Sequence, residues 1–204
     1  MHQSTPCLTL VDTFATRGNA HTGTIRLSAM LFVTVLTAAA AQFSVPVPFS
    51  VVPFTLQPMV VLLGGLVLGP RLALASQVLY LLAGVAGLPV FAASATLPPS
   101  ALRLMGPTGG YLLSYPIAAW LVGSLAVRGF DRRYVTSVLA MGAGLLVIYT
   151  CGVAWLGIVA PSVAPGLQPA LIAGVYPFLV ADALKLVAGA GIVPGLWRLF
   201  GDSH

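Results

Sequence analysis

Charge is the property that this sequence has least of. Only 6% of its 204 residues are charged, and glutamate is absent altogether. Because a soluble domain usually carries about 25% charged residues, this chain cannot cover a water-facing surface. Hydrophobic residues make up 58% of the chain, and its mean hydropathy is +1.00. The composition therefore predicts an integral membrane protein that is embedded in a lipid bilayer.

Residues that serve catalysis and metal binding are equally scarce. The two cysteines, Cys7 and Cys151, have no metal-binding or redox spacing. No histidine or glutamate lies in the apolar segments, which disfavours a metal site or a Ser-His hydrolase. No nucleotide-binding motif is present, and Gly106–Gly110 lacks the Walker A pattern. We therefore predict a protein that is not an enzyme, holds no metal or cofactor, and cannot hydrolyse ATP by itself.

The apolar segments predict an all-α bundle of six transmembrane helices in a single domain, residues 25–204. A polar tail, residues 1–24, precedes this domain and is expected to be loose. Residues 38–42 also resemble a signal-peptide cleavage site, but the long polar leader and the lack of a soluble mature domain argue against cleavage. The six predicted spans are 27–45, 58–68, 72–90, 111–127, 135–159 and 177–200.

Prolines interrupt the chain between several of these spans. Three prolines between residues 46 and 53 cannot all lie inside a helix, because each removes a backbone donor and fixes φ. The stretch 45–57 is nevertheless apolar, so we predict an extended loop that folds back onto the protein as a lid. Two further irregular stretches, 92–105 and 160–170, contain prolines as well.

The basic residues predict which way the bundle faces. With six spans both termini lie on one side, where seven arginines also fall, and only Arg103 lies on the other side. The termini are therefore expected in the cytoplasm and the proline-containing loops outside. The net charge of +5 is scattered between apolar segments, so it indicates topology and predicts no nucleic-acid partner. The seven arginines are Arg17, Arg26, Arg71, Arg128, Arg132, Arg133 and Arg198.

Asp182 and Lys185 are an unusual pair, because they lie in the last apolar segment. Residues three apart share one face of a helix, and Tyr176–Pro177 marks where this helix begins. The two side chains then lie about 7 and 12 Å below that start, under the external loops. Ionisable residues at membrane depth indicate a ligand pocket. The alternative is a neutralised pair that only holds the helix against a neighbour.

Other side chains near the external loops are candidates for the same pocket. Arg103 has a planar guanidinium that suits a carboxylate, although it is alternatively a solvated loop residue. The aromatic residues Phe54, Phe91 and Tyr111 can line the pocket, or they are ordinary residues of the spans and the membrane interface.

A stripe of small residues lies on the first predicted span. Thr34 and Ala38 are four residues apart and form a small-xxx-small face. Such a face packs against another helix of the bundle or docks a second membrane subunit, and both interpretations stay open.

Several motifs follow one another along the chain, and together they resemble the BioY family over about residues 27–200. BioY proteins are the biotin-binding S components of energy-coupling factor (ECF) vitamin transporters. The resemblance implies a bundle of six helices with the substrate held on the external side, beneath loops. The motifs are Val52–Pro58 (VPFTLQP), Leu62–Arg71 (LLGGLVLGPR), Gly87–Phe91 (GLPVF), Gly106–Leu112 (GPTGGYL) and Asp182–Lys185 (DALK).

The resemblance also implies roles for individual residues. Asp182 and Lys185 are expected to contact biotin. Thr55 and Gln57 belong to the loop that is expected to cap the site. Arg103 precedes the GPTGGYL motif, where the family contributes polar contacts to biotin, and it is the charged candidate there.

Partners follow from the resemblance too. The face at Thr34 and Ala38 corresponds to the one that meets the transmembrane coupling (T) subunit, and ATP-binding cassette ATPases hydrolyse ATP for the complex. The implied function is high-affinity biotin binding and uptake across the cytoplasmic membrane of a prokaryote. Two alternatives stay open: an S component for another vitamin, and a membrane scaffold in which the Asp182–Lys185 pair is structural.

Overall fold

The computed structural model describes residues 8–17, 22–47, 50–93, 101–159, 161 and 164–200, and this part of the chain is mostly helical. A short antiparallel pair of strands, β1 (Ser44–Val45) and β2 (Phe54–Thr55), joins Ser44 to Thr55 and Val45 to Phe54. The helices are α1 (Leu10–Arg17), α2 (Thr22–Gln42), α3 (Gln57–Val85), α4 (Leu102–Met105), α5 (Gly109–Leu125), α6 (Tyr134–Val159), α7 (Leu167–Gly174), α8 (Tyr176–Ala190) and α9 (Ile192–Phe200), with a π-helical turn at Ala126–Phe130.

Five helical stretches of the described chain are long and apolar enough to cross a membrane. Leucine, valine and alanine dominate them, and many of their large apolar side chains are exposed, as on a lipid-facing surface. The predicted helical membrane architecture is confirmed at this level. The stretches are Thr22–Gln42, Gln57–Val85, Gly109–Phe130, Tyr134–Val159 and Tyr176–Phe200.

Helix α3 folds back on itself at Gly69. This residue has φ 75° and ψ 177°, a conformation that glycine adopts readily and other residues do not, and Pro70 follows it. The amide of Gln57 donates to the hydroxyl of Tyr80 over 2.6 Å, although 23 residues of straight helix would separate them by about 35 Å. The two halves of α3 therefore run antiparallel and meet where the sequence predicts a turn, at Gly69–Arg71.

Part of the N-terminal stretch is packed, which corrects the expectation of a loose tail. Thr9 caps α1, because its hydroxyl accepts from the Asp12 amide at 3.3 Å and donates to the Asp12 carboxylate at 2.9 Å. Leu10 and Ala15 are buried, and Arg26 of α2 donates to Asp12 at 2.7 Å. The signal for this helix is the Thr-x-x-Asp capping box, which the sequence displays at residues 9–12.

The boundaries of the other segments shift by several residues. The second half of α3 ends at Val85 rather than at residue 90, and the last predicted span is divided at Gly191 into α8 and α9. The predicted loop at 160–170 ends earlier than expected, because α7 begins at Leu167. Residues 48–49, 94–100, 160 and 162–163 of the predicted loops lie outside the described residues. Helix α5 lies in the middle of the bundle, between α3 and α6.

Candidate functional site

A cavity with about 650 Å³ of empty space lies between β2, the start of α5, and helices α6 and α8. The wall is mostly apolar and aromatic, with a few polar groups. The structure brings seven of the eight predicted substrate-binding residues together in this wall: Phe54, Thr55, Gln57, Phe91, Arg103, Tyr111 and Asp182.

Asp182 is the acidic group of the cavity, and both of its carboxylate oxygens have partners. Its side chain is buried, with the residue 7% exposed. Oδ1 accepts from the ammonium of Lys185 at 2.8 Å, and Oδ2 accepts from the hydroxyl of Tyr149 at 2.7 Å. A carboxylate offers about four lone-pair sites, so Asp182 retains acceptor capacity for a donor that enters the cavity.

Lys185 lies behind the cavity wall rather than in it. Its Nζ donates to the backbone carbonyl of Thr55 at 2.6 Å as well as to Asp182, and it lies 3.3 Å from the centroid of the Phe54 ring. Together with Asp182 it lines a smaller adjoining cavity of about 200 Å³. An ammonium has three N–H donors, so one remains after these two bonds. Lys185 thus connects α8 to the strand that covers the cavity.

A second set of contacts fixes the wall opposite α8. Gln57 is 2% exposed, and the Tyr80 hydroxyl that it contacts donates to the carbonyl of Val90 at 3.2 Å. The ring of Phe91 packs edge-on against Tyr80, with centroids 5.5 Å apart and an interplanar angle of 82°. Gln57 and Phe91 therefore share one rigid wall, although they are far apart in sequence.

Arg103 is the cationic group of the cavity wall. It lies on α4, it is 7% exposed, and its Nε has no hydrogen-bond partner in the described part of the chain. Burial lowers the pKa of this guanidinium from its ordinary value, but arginine stays cationic in proteins. The solvated-loop alternative is excluded for the described structure. A buried cation with a free N–H at a cavity suits an anionic group such as a carboxylate.

Tyr111 connects the cavity to α7. Its hydroxyl donates to the carbonyl of Gly174 at 2.9 Å, and the tyrosine is buried. A Cβ atom at position 174 would overlap the Tyr111 hydroxyl, so the close approach requires glycine. Tyr111 is thereby held with its ring in the cavity wall.

The sequence alone did not identify every residue of the wall. Tyr149 was not among the predicted site residues, yet it bonds directly to Asp182. One signal was available: a tyrosine hydroxyl in an apolar helix needs a polar partner, and Asp182 is the acid that lies within the predicted spans. Tyr115, Ile148 and Phe178 also line the cavity, but apolar and aromatic residues of this kind are common throughout the spans and carry no comparable signal.

The predicted docking residues lie in different surroundings. Thr34 is 8% exposed, and its hydroxyl donates to the carbonyls of Met30 and Ser76, each at 3.0 Å. Ala38 is half-buried and packs against the core. The structure therefore favours packing within the bundle for Thr34, the alternative that the sequence left open. The described residues contain no cluster of three or more His, Cys, Asp or Glu side chains that could hold a metal ion.

Comparisons with known proteins agree with this architecture. The model of the BioY family matches residues 13–202. The "Probable biotin transporter BioY" of Pyrococcus horikoshii is 43% identical over 155 residues, which are 76% of this chain and 85% of that protein. The "Biotin transporter BioY" of Thermotoga maritima is 36% identical over 167 residues, which are 81% of this chain and 92% of that protein.

A solved structure has the same fold. It is described as the S-component for biotin from an ECF-type ABC transporter, and it matches this chain with a TM-score of 0.77. The match covers 88% of this chain and 94% of the other one, at 22% identity. At that identity the likeness shows a shared fold, with the same helical bundle in both proteins.

Proposed function

This chain belongs to the BioY family, and we propose that it captures biotin on the external side of the membrane as the substrate-binding subunit of an ECF transporter. It is a transport protein for biotin uptake rather than an enzyme. The observation that carries the proposal is a mainly apolar cavity whose wall contains both a buried acid and a buried guanidinium.

The chemistry of biotin suits these groups. Biotin has a ureido ring with two N–H donors and a carbonyl acceptor, an apolar bicycle and a carboxylate tail. Asp182 can accept from a ureido N–H, because its oxygens retain lone pairs. Lys185 would act from behind the wall, by holding the Asp182 carboxylate and the Thr55 carbonyl in place, and the fork of Arg103 suits a carboxylate. The aromatic wall formed by residues such as Phe91 and Tyr111 can cover the apolar bicycle.

The orientation of the bundle completes the proposal. We count six membrane segments, because the two halves of α3 run antiparallel, so both termini lie on one side. Two arginines of the biased set contact the N-terminal stretch, Arg26 through Asp12 of α1 and Arg132 through the carbonyl of Leu8, which supports this arrangement. The bias of positive charge toward that side puts the termini in the cytoplasm and the cavity at the external side of a prokaryotic cytoplasmic membrane.

The partners are part of the proposal as well. A transmembrane coupling subunit and ATP-binding cassette ATPases would drive uptake, and the chain itself would need no cofactor and hydrolyse no ATP. The exposed apolar side chains of α2, Phe32 and Val35 among them, face lipid or the coupling subunit. Of the two predicted docking residues, Ala38 stays a candidate contact, and Thr34 would act by holding α2 against α3.

Direct measurement of biotin tests the proposal. The protein is purified in detergent from cells given excess biotin, and bound biotin is quantified by mass spectrometry after denaturation. We expect about one biotin per folded protein, which excess thiamine or riboflavin does not displace. A well-folded sample that retains no biotin and does not take it up on titration would contradict the proposal. Retention of another vitamin instead would identify a different substrate in the same fold.

A further inference from the structure

We propose that Ser50 is a positioning residue that fastens the cap of the cavity to α7 and so slows the release of the substrate. The cap segment is defined here as Ser50–Thr55, and four of its residues, Val52 to Thr55, line the cavity. This inference rests on the proposed function, because it concerns the residence time of biotin in that cavity. Its basis is a row of backbone carbonyls at the end of α7.

The carbonyl of Ala173 lacks its helical partner for a reason that is visible in the sequence. In a continuous helix it would accept from the backbone N–H four residues later, but that residue is Pro177, which has no N–H. The last carbonyls of a helix need other donors. The next carbonyl, that of Gly174, also lacks its helical donor, because the Phe178 amide donates to the carbonyl of Val175 at 2.9 Å instead. The Gly174 carbonyl accepts from the hydroxyl of Tyr111.

Ser50 supplies the donor that Ala173 lacks. Its Oγ lies 2.6 Å from the carbonyl oxygen of Ala173, across 123 positions of sequence, and farther, at 3.1 Å, from the other acceptor in reach, the carbonyl of Val52. The same Oγ accepts from the backbone amide of Val52 at 3.1 Å, a local turn that serine commonly forms. One hydroxyl therefore shapes the start of the cap segment and attaches it to α7. The hydroxyls of Tyr111 and Ser50 donate to neighbouring carbonyls at the end of α7. The cavity wall and the cap segment are therefore both attached to this helix.

The other end of the cap segment has a separate attachment. The carbonyl of Thr55 accepts from Lys185, whose ammonium also lies over the Phe54 ring. Loss of the Ser50 bond would thus free one end of the cap and leave the other end held by α8. A cap freed in this way opens more often, and a bound molecule leaves more often. The rate of association depends less on this bond, because the cap of an empty site must open for entry whether or not Ser50 is present.

Dissociation kinetics test this role. The purified full chain is loaded with radiolabelled biotin and chased with excess unlabelled biotin. We expect Ser50→Ala to speed dissociation about 3- to 10-fold, the effect of one net hydrogen bond, with an association rate within about twofold of wild type. Ser50→Thr keeps a hydroxyl and should retain slow dissociation. Ser124→Ala is the matched control, because the Ser124 hydroxyl bonds only within α5, to Trp120 at 2.8 Å.

The possible results separate the two proposals. Unchanged dissociation in Ser50→Ala, or equally fast dissociation in Ser50→Thr, would overturn the role of Ser50 while leaving biotin binding intact. Absence of biotin binding in the wild type would instead remove the proposed function. If Ser50→Ala does not fold, hydrogen exchange of the wild-type Val52 amide decides: biotin should slow its exchange, and equal exchange with and without biotin would refute the attachment.

Discussion

Two buried acids in this protein lie in opposite settings. Asp182 borders the large cavity, and both of its oxygens are bonded, to Lys185 and Tyr149. Asp131 lies in the turn before α6 and is fully buried. Its Oδ2 accepts from the indole of Trp197 at 2.7 Å, whereas Oδ1 has no hydrogen bond and lies 3.5 Å from Arg132 Nε.

The difference between the two sites separates binding from packing. Around Asp182 the charges are paired, and empty space remains beside them, so a ligand can use their spare donors and acceptors. Around Asp131 the side chains are in contact with one another: Arg132 stacks 3.5 Å from the centroid of the Trp197 ring and donates to the carbonyl of Leu8 at 3.0 Å. The Asp131 cluster thus ties the N-terminal stretch, the turn and α9 together. A buried acid marks a binding site only where it has both partners and a cavity.

The largest expected effect is that of Asp182→Asn. It leaves the Lys185 ammonium without its carboxylate, and losing one partner of a buried ion pair costs several kcal/mol. We expect biotin affinity to fall at least about 100-fold, or roughly 2.7 kcal/mol, as measured by titration calorimetry. Tyr149→Phe, which removes a neutral partner only, should weaken binding about 10-fold or less. Full affinity in Asp182→Asn would place Asp182 with Asp131 as a structural group.

Arg103 tests whether the cavity recognises an anionic group. We expect Arg103→Ala to weaken biotin binding about 30-fold, because the guanidinium can form two charge-assisted bonds to one carboxylate. Arg103→Lys keeps the charge but loses the fork, so it should recover only part of the affinity. Biotin methyl ester provides the matched comparison. If the ester and biotin lose affinity equally in Arg103→Ala, the guanidinium does not bind the carboxylate.

Much of this site was predictable, because charge within apolar segments is rare and therefore informative. Asp182, Lys185 and Arg103 stood out by composition and spacing alone, and the structure brings them to one end of the bundle. What the sequence could not show is the pairing between distant segments, such as Tyr111 with the carbonyl of Gly174. Those contacts depend on how helices rotate against one another. Helix α1 was not predicted, because the polar composition of residues 1–24 indicated a loose tail and the capping box that signals the helix consists of only two residues.

The fold was predictable to a similar extent. Apolar length locates helices well, and a glycine followed by a proline predicts a break, as at Gly69. The ends of helices were less predictable, because the last turns depend on tertiary contacts. At Gly191 the chain breaks three residues before Pro194, which cannot donate to the carbonyl of Ala190, and the anchoring of α9 through Trp197 to Asp131 fixes the direction in which it continues. No local pattern in the sequence displays that bond.

Trp197→Phe tests the Asp131 cluster. It removes the indole N–H and leaves Oδ2 of Asp131 buried without its donor, which costs about 1–3 kcal/mol. We expect a loss of that size in the free energy of unfolding, measured by denaturant titration in detergent, with biotin affinity unchanged within about twofold. Trp120→Phe is the control, because Trp120 is 47% exposed on the outer face of α5. A change in biotin affinity comparable to that of Arg103→Ala would contradict the separation of the two regions.

The smallest expected effect is the pH dependence of stability at Asp131. Burial raises the pKa of this carboxyl above its ordinary value of 3.8, and the bonds from Trp197 and Arg132 offset only part of that rise. The folded state then holds a proton at pH values where the unfolded chain has lost it. The contribution to stability is therefore greatest below the ordinary pKa and is lost as pH rises through the higher, folded-state pKa.

Asp131→Asn isolates this contribution, because an amide keeps an oxygen acceptor for Trp197 and does not titrate. We expect the variant to match wild type at acid pH, where Asp131 is protonated, and to equal or exceed its stability at neutral pH by less than about 1 kcal/mol. Unfolding midpoints of both proteins across pH 4–8 measure this difference. If wild type instead becomes more stable relative to the variant as pH rises, the attraction of the Asp131 carboxylate to Arg132 outweighs the cost of its desolvation. Asp131 would then resemble Asp182, whose carboxylate is paired with a cation.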